Sequence, residues 1–333
     1  MDDTPATWPG DGSLRIGVIM PAFNVAPWIG QAIASVVAQC HTDWSLIVVD
    51  DGSTDATPDV ALRQCDSRIT VLRQMNRGVS AARNRGMAAI DPAADALLFL
   101  DADDWLEPEA LAVLAGTLRA APAAVAAAGC YARIGTDGAR RPVRVRATGD
   151  VLRRLMVRNL FANGGHLLIR RHAIQAAGSF DPSLSYGEDW HYWIRIAASG
   201  PFVAARDTGP LLNVRERPGS ACHAMAHQPD RFRLCLDAIH RDGLVQARLA
   251  PAERVELRRR AEAENAWVIG RELIRHGEPS AGRKWLLRSL REAPGAKRLG
   301  LLALSWTQAG PFRPYAASAS TRRRGTACTG IAA

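Results

Sequence analysis

The chain has 333 residues, of which 47% are hydrophobic, enough for one large domain and a smaller one. Its six cysteines include no Cys-x-x-Cys pair, which argues against a structural zinc site. It contains no run of about 18 apolar residues, so we expect no transmembrane helix.

The net charge of +9 conceals an uneven distribution along the chain. Residues 1–120 contain 8 Lys+Arg and 16 Asp+Glu, whereas residues 121–333 contain 34 and 17. The basic part fits an anionic acceptor or an anionic membrane surface, and it fits equally an ordinary solvated surface. The acidic, polar residues 1–13 predict a flexible leader and no signal peptide, which favours a cytoplasmic location.

Strand and helix patterns alternate regularly through residues 14–120. The predicted strands are almost continuously apolar, as expected when helices cover both faces of a sheet. Pro21 is expected to end the first strand. This βα alternation predicts a doubly wound, parallel or mixed sheet whose ligands bind at the carboxyl ends of the strands. The predicted strands are 14–20, 44–49, 69–73 and 96–100, and the main helices are 27–39, 79–90 and 108–119.

The pattern changes after residue 120 and becomes mostly helical after residue 226. We predict an α/β domain over 14–225, with a nucleotide-binding half (14–120) and an acceptor half (121–225), then a helical extension (226–310) and a disordered basic tail (311–333). In the acceptor half the predicted strands are 125–134, 143–146 and 166–171, and the predicted helices are 149–160, 172–177 and 186–198.

Two carboxylates follow the fourth strand in FLDADDWLEP (99–108). Asp101 and Asp103, at positions i and i+2, can both face a ligand at the sheet edge. Hard divalent cations such as Mg²⁺ or Mn²⁺ prefer such oxygen ligands, with phosphate oxygens completing the shell. An acidic turn before the helix at 108 would explain the same residues without a metal.

Polar signatures also follow the second strand, in VVDDGSTD (48–55), and precede a helix in RGVSAARNRG (77–86). A carboxylate at Asp51 can accept a base N–H or bind ribose hydroxyls, or it can belong to an ordinary turn. Arg83 offers the fork-shaped donors that suit phosphate, although arginines here can also be surface residues.

A third acidic pair, Glu188-Asp189, begins a predicted helix that continues with Trp190 and Trp193. A carboxylate beside apolar rings can have a raised pKa and act as a general base, or it can simply favour the helix N-terminus. Glu188, His191 and Arg217 are candidates for contacts with an acceptor or for a loop over the ligand.

The four signatures VIMPAFN (18–24), VVDDGSTD, RGVSAARNRG and DADD, followed by the Glu-Asp pair, resemble in order and spacing the inverting GT-A glycosyltransferases of family 2. The resemblance covers roughly residues 14–200. It implies a GT-A fold, a nucleotide-diphospho-sugar donor, most often a UDP-sugar, and a Mn²⁺ or Mg²⁺ cofactor. The processive members carry a Q-x-x-R-W segment and several transmembrane helices, which this sequence lacks, so the resemblance favours a non-processive enzyme.

The resemblance also implies roles for individual residues. Pro21, Phe23 and Asn24 would line the nucleoside pocket, Asp51 would bind the base, and Arg83 the nucleotide or phosphate. Asp101 and Asp103 would be the metal-binding D-x-D pair, with Asp101 also at the donor, and Asp189 would be the catalytic base.

The implied reaction is a single in-line displacement that inverts the anomeric centre, in cell-surface glycan biosynthesis. The predicted partners are the nucleotide-sugar and a glycan, lipid-linked or small-molecule acceptor, with no nucleic acid, and association with an anionic membrane from the cytoplasmic face remains a hypothesis.

Two other classes remain as alternatives. A nucleotidyltransferase normally has a Gly-rich phosphate loop after the first strand, where this chain reads PAFNVAPW. A nucleotide-sugar-binding protein without catalysis would be expected to have lost Asp101, Asp103 or Asp189, all of which are present. A dinucleotide oxidoreductase is disfavoured because no G-x-G-x-x-G follows a strand.

Overall fold

The computed structural model describes residues 14–206, 208–216 and 228–307, together with Phe312. In its first part four strands lie parallel to one another, in the order β4-β1-β2-β3. This arrangement confirms the predicted doubly wound sheet. The elements are β1 (Ile16–Ala22), α1 (Ala26–Val37), β2 (Trp44–Asp50), α2 (Thr57–Leu62), β3 (Ile69–Arg73), α3 (Val79–Ala89) and β4 (Ala96–Phe99).

The first strand extends two residues further than predicted, through Pro21 to Ala22. The pairing of β1 with β4 ends at Ile19, so the missing N–H of Pro21 costs no hydrogen bond on that side. All seven residues of β1 are buried, and α3 packs against the strand. The continuous apolar pattern therefore reflects burial on both sides of the sheet.

The second half completes the first sheet with an antiparallel strand. Here β9 lies between β4 and β6 and runs against both, which makes the seven-stranded sheet mixed. A second sheet has the order β5-β11-β7-β8. The elements of this half are β5 (Trp105–Leu106), α4 (Ala110–Arg119), β6 (Ala126–Ala128), β7 (Cys130–Ile134), β8 (Arg140–Val143), α5 (Leu152–Leu155), β9 (Leu167–Arg170), α6 (Arg171–Ala177), α7 (Glu188–Ser199), β10 (Phe202–Ala204) and β11 (Pro210–Arg215).

Two sequence predictions in this half are corrected. The single strand expected over 125–134 is two strands in different sheets, which separate at Gly129, where a Cβ would lie 2.5 Å from the Leu211 side chain. In place of the helix expected over 149–160, the structure has only the four-residue helix α5 in this range. Near the end of the predicted helix, the side chain of Asn159 accepts a hydrogen bond from the Phe161 N–H. Such a local side-chain bond competes with the backbone bonds of a helix and favours a turn.

Helices alone follow from Pro229 to Leu304, as predicted, and none of the helices in the described ranges is long and apolar enough to cross a membrane. The extension packs on α7, because Phe232 and Leu236 belong to the same buried core as Trp190. Phe312, predicted to be in the disordered tail, is buried against Trp267. The predicted leader 1–13 and tail residues 313–333 lie outside the described residues. The helices are α8 (Pro229–Arg241), α9 (Gly243–Arg248), α10 (Pro251–Arg275), α11 (Pro279–Glu292) and α12 (Ala296–Leu304).

Candidate active site

The turns that follow β1 and β2 are joined by hydrogen bonds at the carboxyl edge of the sheet. The Asn24 N–H donates to Ser53 Oγ over 3.0 Å, and the Thr54 N–H donates to Asn24 Oδ1 over 2.9 Å. Asn24 adopts a left-handed φ of 51°, which asparagine tolerates better than most residues. These bonds fix the backbone beside Pro21, which is buried, and Phe23, whose side chain is 46% exposed and available for stacking.

The carboxylate of Asp51 is buried and organises the segment before α3. It accepts hydrogen bonds from Gln74 Nε2 at 2.7 Å and from the N–H groups of Arg77 and Gly78 at 2.9 and 2.8 Å. A carboxylate offers about four acceptor positions, so one remains for a ligand donor. Recognition of the base by Asp51 stays a prediction. In the structure Asp51 also fixes the backbone of Arg77 and Gly78 before α3.

Arg83, buried on α3, connects the two acidic signatures. Its guanidinium donates to Asp101 Oδ1 over 2.9 Å and to Glu188 Oε1 over 3.0 Å. Burial by itself would lower the pKa of Arg83, but the carboxylates of Asp101, Glu188 and Asp189 raise it above its usual value. The expected phosphate contact of Arg83 remains a prediction; in this structure two of its three nitrogens bind carboxylates.

Asp189 lies in the first turn of α7, next to Glu188 and partly exposed. Its Oδ1 accepts from the Trp190 N–H at 2.5 Å, and its Oδ2 from Asn159 Nδ2 at 3.4 Å. Desolvation and the adjacent Glu188 raise the pKa of Asp189 to about 7, although Arg83 opposes the rise. A carboxylate with such a pKa can accept a proton at neutral pH.

Hydrogen bonds of the buried Asp104 hold the turn that carries Asp101 and Asp103. The buried Asp104 carboxylate accepts from Asn163 Nδ2 at 2.5 Å and from the Arg215 N–H at 2.9 Å. Burial, together with the charges of Asp103 and Asp101, raises the pKa of Asp104 well above its usual value. Asp101 and Asp103 themselves are partly exposed, so this network holds the turn while leaving both carboxylates open to solvent.

A basic residue that the sequence motifs did not indicate lies beside this turn. Arg215, at the end of β11, donates from Nε to the Asp103 carbonyl over 3.1 Å, and its guanidinium lies 4.7 Å from the centre of the Trp105 ring. The motifs did not indicate Asn159 and Asn163 either. The alternating LLNVR of β11 was a strand signal that could have placed Arg215 at a strand end.

His191 is buried on a different face of α7 from Asp189, and the acceptor contact expected of it stays a prediction. Two residues along an α-helix correspond to a rotation of about 200°, so His191 faces the opposite side of α7 from Asp189. It is 5% exposed, and its Nε2 lies 3.3 Å from Asp242 Oδ2, the residue that caps α9. Arg217 lies outside the described residues.

Comparison with known proteins identifies the fold and the domain. The family model described as Glycosyl transferase family 2 matches residues 17–177. Residues 17–177 form a family 2 glycosyltransferase domain. The matched range contains the turns of Asn24 and Asp51, Arg83 and the D-x-D turn, and it ends before α7.

Curated relatives of this glycosyltransferase domain match a little over a quarter of the chain. The glycosyltransferase GlyA of Streptococcus pneumoniae is 35% identical over 97 residues, 28% of this chain and 14% of GlyA. The putative teichuronic acid biosynthesis glycosyltransferase TuaG of Bacillus subtilis is 36% identical over 92 residues, 27% of this chain and 36% of TuaG. The similarity thus covers only about a third or less of either relative.

Solved structures extend the likeness to almost the whole chain. The TarS 1–349 structure of S. aureus in complex with UDP has a TM-score of 0.62 at 16% identity, over 89% of this chain and 88% of that one. The mannosyltransferase PcManGT of Pyrobaculum calidifontis, solved with GDP-Man and Mn²⁺, has a TM-score of 0.57 at 20% identity, over 91% and 83%. This glycosyltransferase domain and its helical extension therefore share the GT-A fold class of those enzymes.

The donor set at the D-x-D turn fits a hard divalent cation. Asp101 and Asp103 offer carboxylate oxygens, and one oxygen of Asp101 is already bonded to Arg83. Within the described ranges no group of three or more His, Cys, Asp or Glu side chains forms a complete metal cage. Two carboxylates with phosphate oxygens are the ligands that Mg²⁺-type sites usually combine.

Proposed function

We propose that this protein transfers a sugar from a nucleotide-diphospho-sugar, with UDP as the favoured nucleotide, to a hydroxyl group of an acceptor, with inversion. The observation that carries the proposal is the Arg83 bridge, since it brings the D-x-D turn and the helix of Asp189 to one edge of the sheet. The family 2 domain and the UDP-bound TarS neighbour support the same class of reaction.

The residues have separate roles in the proposed displacement. Asp189 accepts the proton of the acceptor hydroxyl as that oxygen forms its bond to the anomeric carbon. The bond from that carbon to the diphosphate breaks on the opposite face, so the configuration inverts and the nucleoside diphosphate leaves with the electron pair. Arg215, beside the D-x-D turn, is placed to stabilise the departing negative charge.

A divalent ion, Mn²⁺ or Mg²⁺, completes the proposed site. Asp101 and Asp103 would hold it, and when bound it would neutralise charge on the leaving diphosphate. The Mn²⁺ named with PcManGT supports this assignment.

Metal-dependent nucleotide binding is the first test of the proposal. We expect UDP to bind more tightly with Mn²⁺ than with EDTA, and Asp103→Ala to abolish most of that difference, as measured by calorimetry. The control is Asp137→Ala, in the exposed turn before β8, which should bind UDP with Mn²⁺ like the unchanged protein. Equal UDP affinity of Asp103→Ala and the unchanged protein in Mn²⁺ would contradict the metal assignment.

The proposed acceptor is a cell-surface glycan or its lipid-linked precursor, reached from the cytoplasmic face of the membrane. The teichuronic acid biosynthesis named for TuaG supports a cell-surface glycan. Leu299 and Trp306 in and after α12 are 58% and 60% exposed, and the Arg283 guanidinium lies 4.6 Å from the centre of the Trp306 ring. Exposed apolar and basic residues together suit the surface of an anionic bilayer.

Vesicle sedimentation tests the membrane part of this proposal. At low salt the protein should sediment with phosphatidylserine-containing vesicles and stay in solution with phosphatidylcholine alone, and the double change Leu299→Ser with Trp306→Ser should weaken the sedimentation. Leu287→Ser, which removes a 41% exposed leucine of α11, is the matched control. If the protein does not sediment with the anionic vesicles, the proposed association with the membrane is wrong.

A further inference from the structure

A cavity of about 160 Å³ lies in the helical extension, among α8, α10 and α11. Its floor is apolar and its rim carries both hydrogen-bond donors and acceptors. The volume is well below the roughly 300–1,000 Å³ of sites for drug-sized ligands, so it suits a single ring. The floor consists of Phe232, Leu236, Ala266 and Ile269.

Two of the helices that line the cavity, α10 and α11, are in close contact at two glycines. At Gly270 and Gly282 the backbones of α10 and α11 touch, and a Cβ on either would lie 2.7 or 2.5 Å from the carbonyl oxygen of the other. Three residues after Gly282, the large side chain of Trp285 on α11 lines the cavity together with Phe232 of α8.

The polar groups of the rim are suited to hydroxyls. Asn265 Nδ2 is buried without a hydrogen-bond partner, and an unsatisfied buried donor costs about 1–3 kcal/mol. Glu262 offers a carboxylate whose charge is balanced by Arg258 at 3.0 Å, and Arg233 and Arg288 add further donors. Since donors and acceptors are mixed and no single charge sign dominates, the rim fits a neutral polyhydroxylated ring better than an isolated anion.

The cavity adjoins the helix of the proposed catalytic base. The Phe232 ring, part of its floor, lies 5.6 Å from the Trp190 ring, and Trp190 directly follows Asp189. Cys235, also on α8, donates its thiol to the Gly187 carbonyl just before α7. A ligand in the cavity would therefore lie next to the elements that set the position of Asp189.

We propose that this cavity is an acceptor subsite that binds one pyranose ring of the acceptor glycan, beyond the sugar that is glycosylated. This inference rests on the proposed glycosyl transfer. It implies that the acceptor is a saccharide of at least two rings. The apolar face of the pyranose lies against Trp285, while its hydroxyls accept from Asn265 and donate to Glu262.

Fluorine NMR of the full chain labelled with 5-fluorotryptophan tests this subsite. The probes are the methyl glycosides of glucose, mannose, galactose, N-acetylglucosamine and glucuronic acid, and Trp285→Phe assigns the Trp285 signal. We expect at least one neutral glycoside to shift that signal saturably. Trp306, exposed in the turn after α12 and absent from the cavity lining, is the internal control and should not shift. If none of the five glycosides shifts the Trp285 signal saturably, the proposal is wrong. If only the glucuronide shifts it, the site does not bind a neutral ring as proposed.

A variant links the shift to the cavity. Asn265→Leu replaces the unpaired amide by an apolar group of similar size and should weaken the titration by about tenfold, the equivalent of one lost hydrogen bond. Unchanged affinity in that variant would also overturn the proposed contact.

Acceptor-free hydrolysis of a nucleotide-sugar separates this inference from the proposed function. If no donor is hydrolysed by the unchanged protein or stabilises it against heat, but Trp285 still titrates with a glycoside, glycosyl transfer fails while the sugar site stands. If hydrolysis proceeds and Trp285 does not respond, the subsite alone fails.

Discussion

Asp189→Asn is expected to lower the rate of sugar transfer by about 10²–10⁴-fold while leaving nucleotide binding nearly unchanged. The amide keeps the shape of the side chain and can still accept from Trp190, but it cannot take the proton of the acceptor hydroxyl. The rate is measured as acceptor-dependent release of nucleoside diphosphate, and the affinity by UDP titration.

The matched control for this change is Asp137→Asn, in the exposed turn before β8, which should transfer sugar at the normal rate. Loss of UDP binding in Asp189→Asn would show that Asp189 has a structural role, and normal turnover would remove it from the mechanism.

The same base predicts an acidic limb in the pH profile of transfer. Desolvation and Glu188 raise the pKa of Asp189 to about 7, against about 3.9 for an ordinary aspartate, although Arg83 opposes the rise. Because the deprotonated form is the active one, the rate should fall as the pH drops through about 7. A rate that stays constant down to pH 5 would contradict this assignment.

Arg83→Met is expected to lower the free energy of unfolding by about 3 kcal/mol or more. Removing one partner of a buried ion pair leaves the other charge uncompensated, at a cost of about 3–5 kcal/mol. Arg83 is 4% exposed and Glu188 is 16% exposed, whereas Asp101 is 30% exposed, which favours the lower end of that range. Urea unfolding measures the change.

The control for this change is Arg85→Met, two residues further along α3. Among the residues that the structure describes, Arg85 donates only to the Arg73 carbonyl at the surface, so its loss should cost about 0.5–1 kcal/mol. If both variants unfold alike, the Arg83 bridge does not hold the two acidic segments together.

The first half of the fold was predictable because its signals are local. Its strands are short apolar runs, and their carboxyl ends carry the turn residues that follow a buried strand. The missed strands β5, β10 and β11 pair with partners distant in the chain; β11, for example, lies beside β7, about 80 residues earlier. Such pairings depend on the assembled core rather than on neighbouring residues.

The site was predictable in its parts but not in its connections. Asp101 and Asp189 could be named because each stands at the end of a strand or the start of a helix. The Arg83–Glu188 bond joins residues 105 positions apart, and no periodic pattern indicates it. The surroundings of His191 were not predictable either, because its contact with Asp242 of the helical extension joins residues about 50 positions apart.

The most direct test of the account is incubation of the purified protein with a panel of UDP-, GDP- and dTDP-sugars in Mn²⁺ or Mg²⁺, with release of nucleoside diphosphate as the readout. We expect slow, metal-dependent release from at least one donor, a UDP-sugar first of all, and its loss in Asp103→Ala. Absence of release and of thermal stabilisation with every donor and both metals would contradict the proposal that this protein uses a nucleotide-sugar.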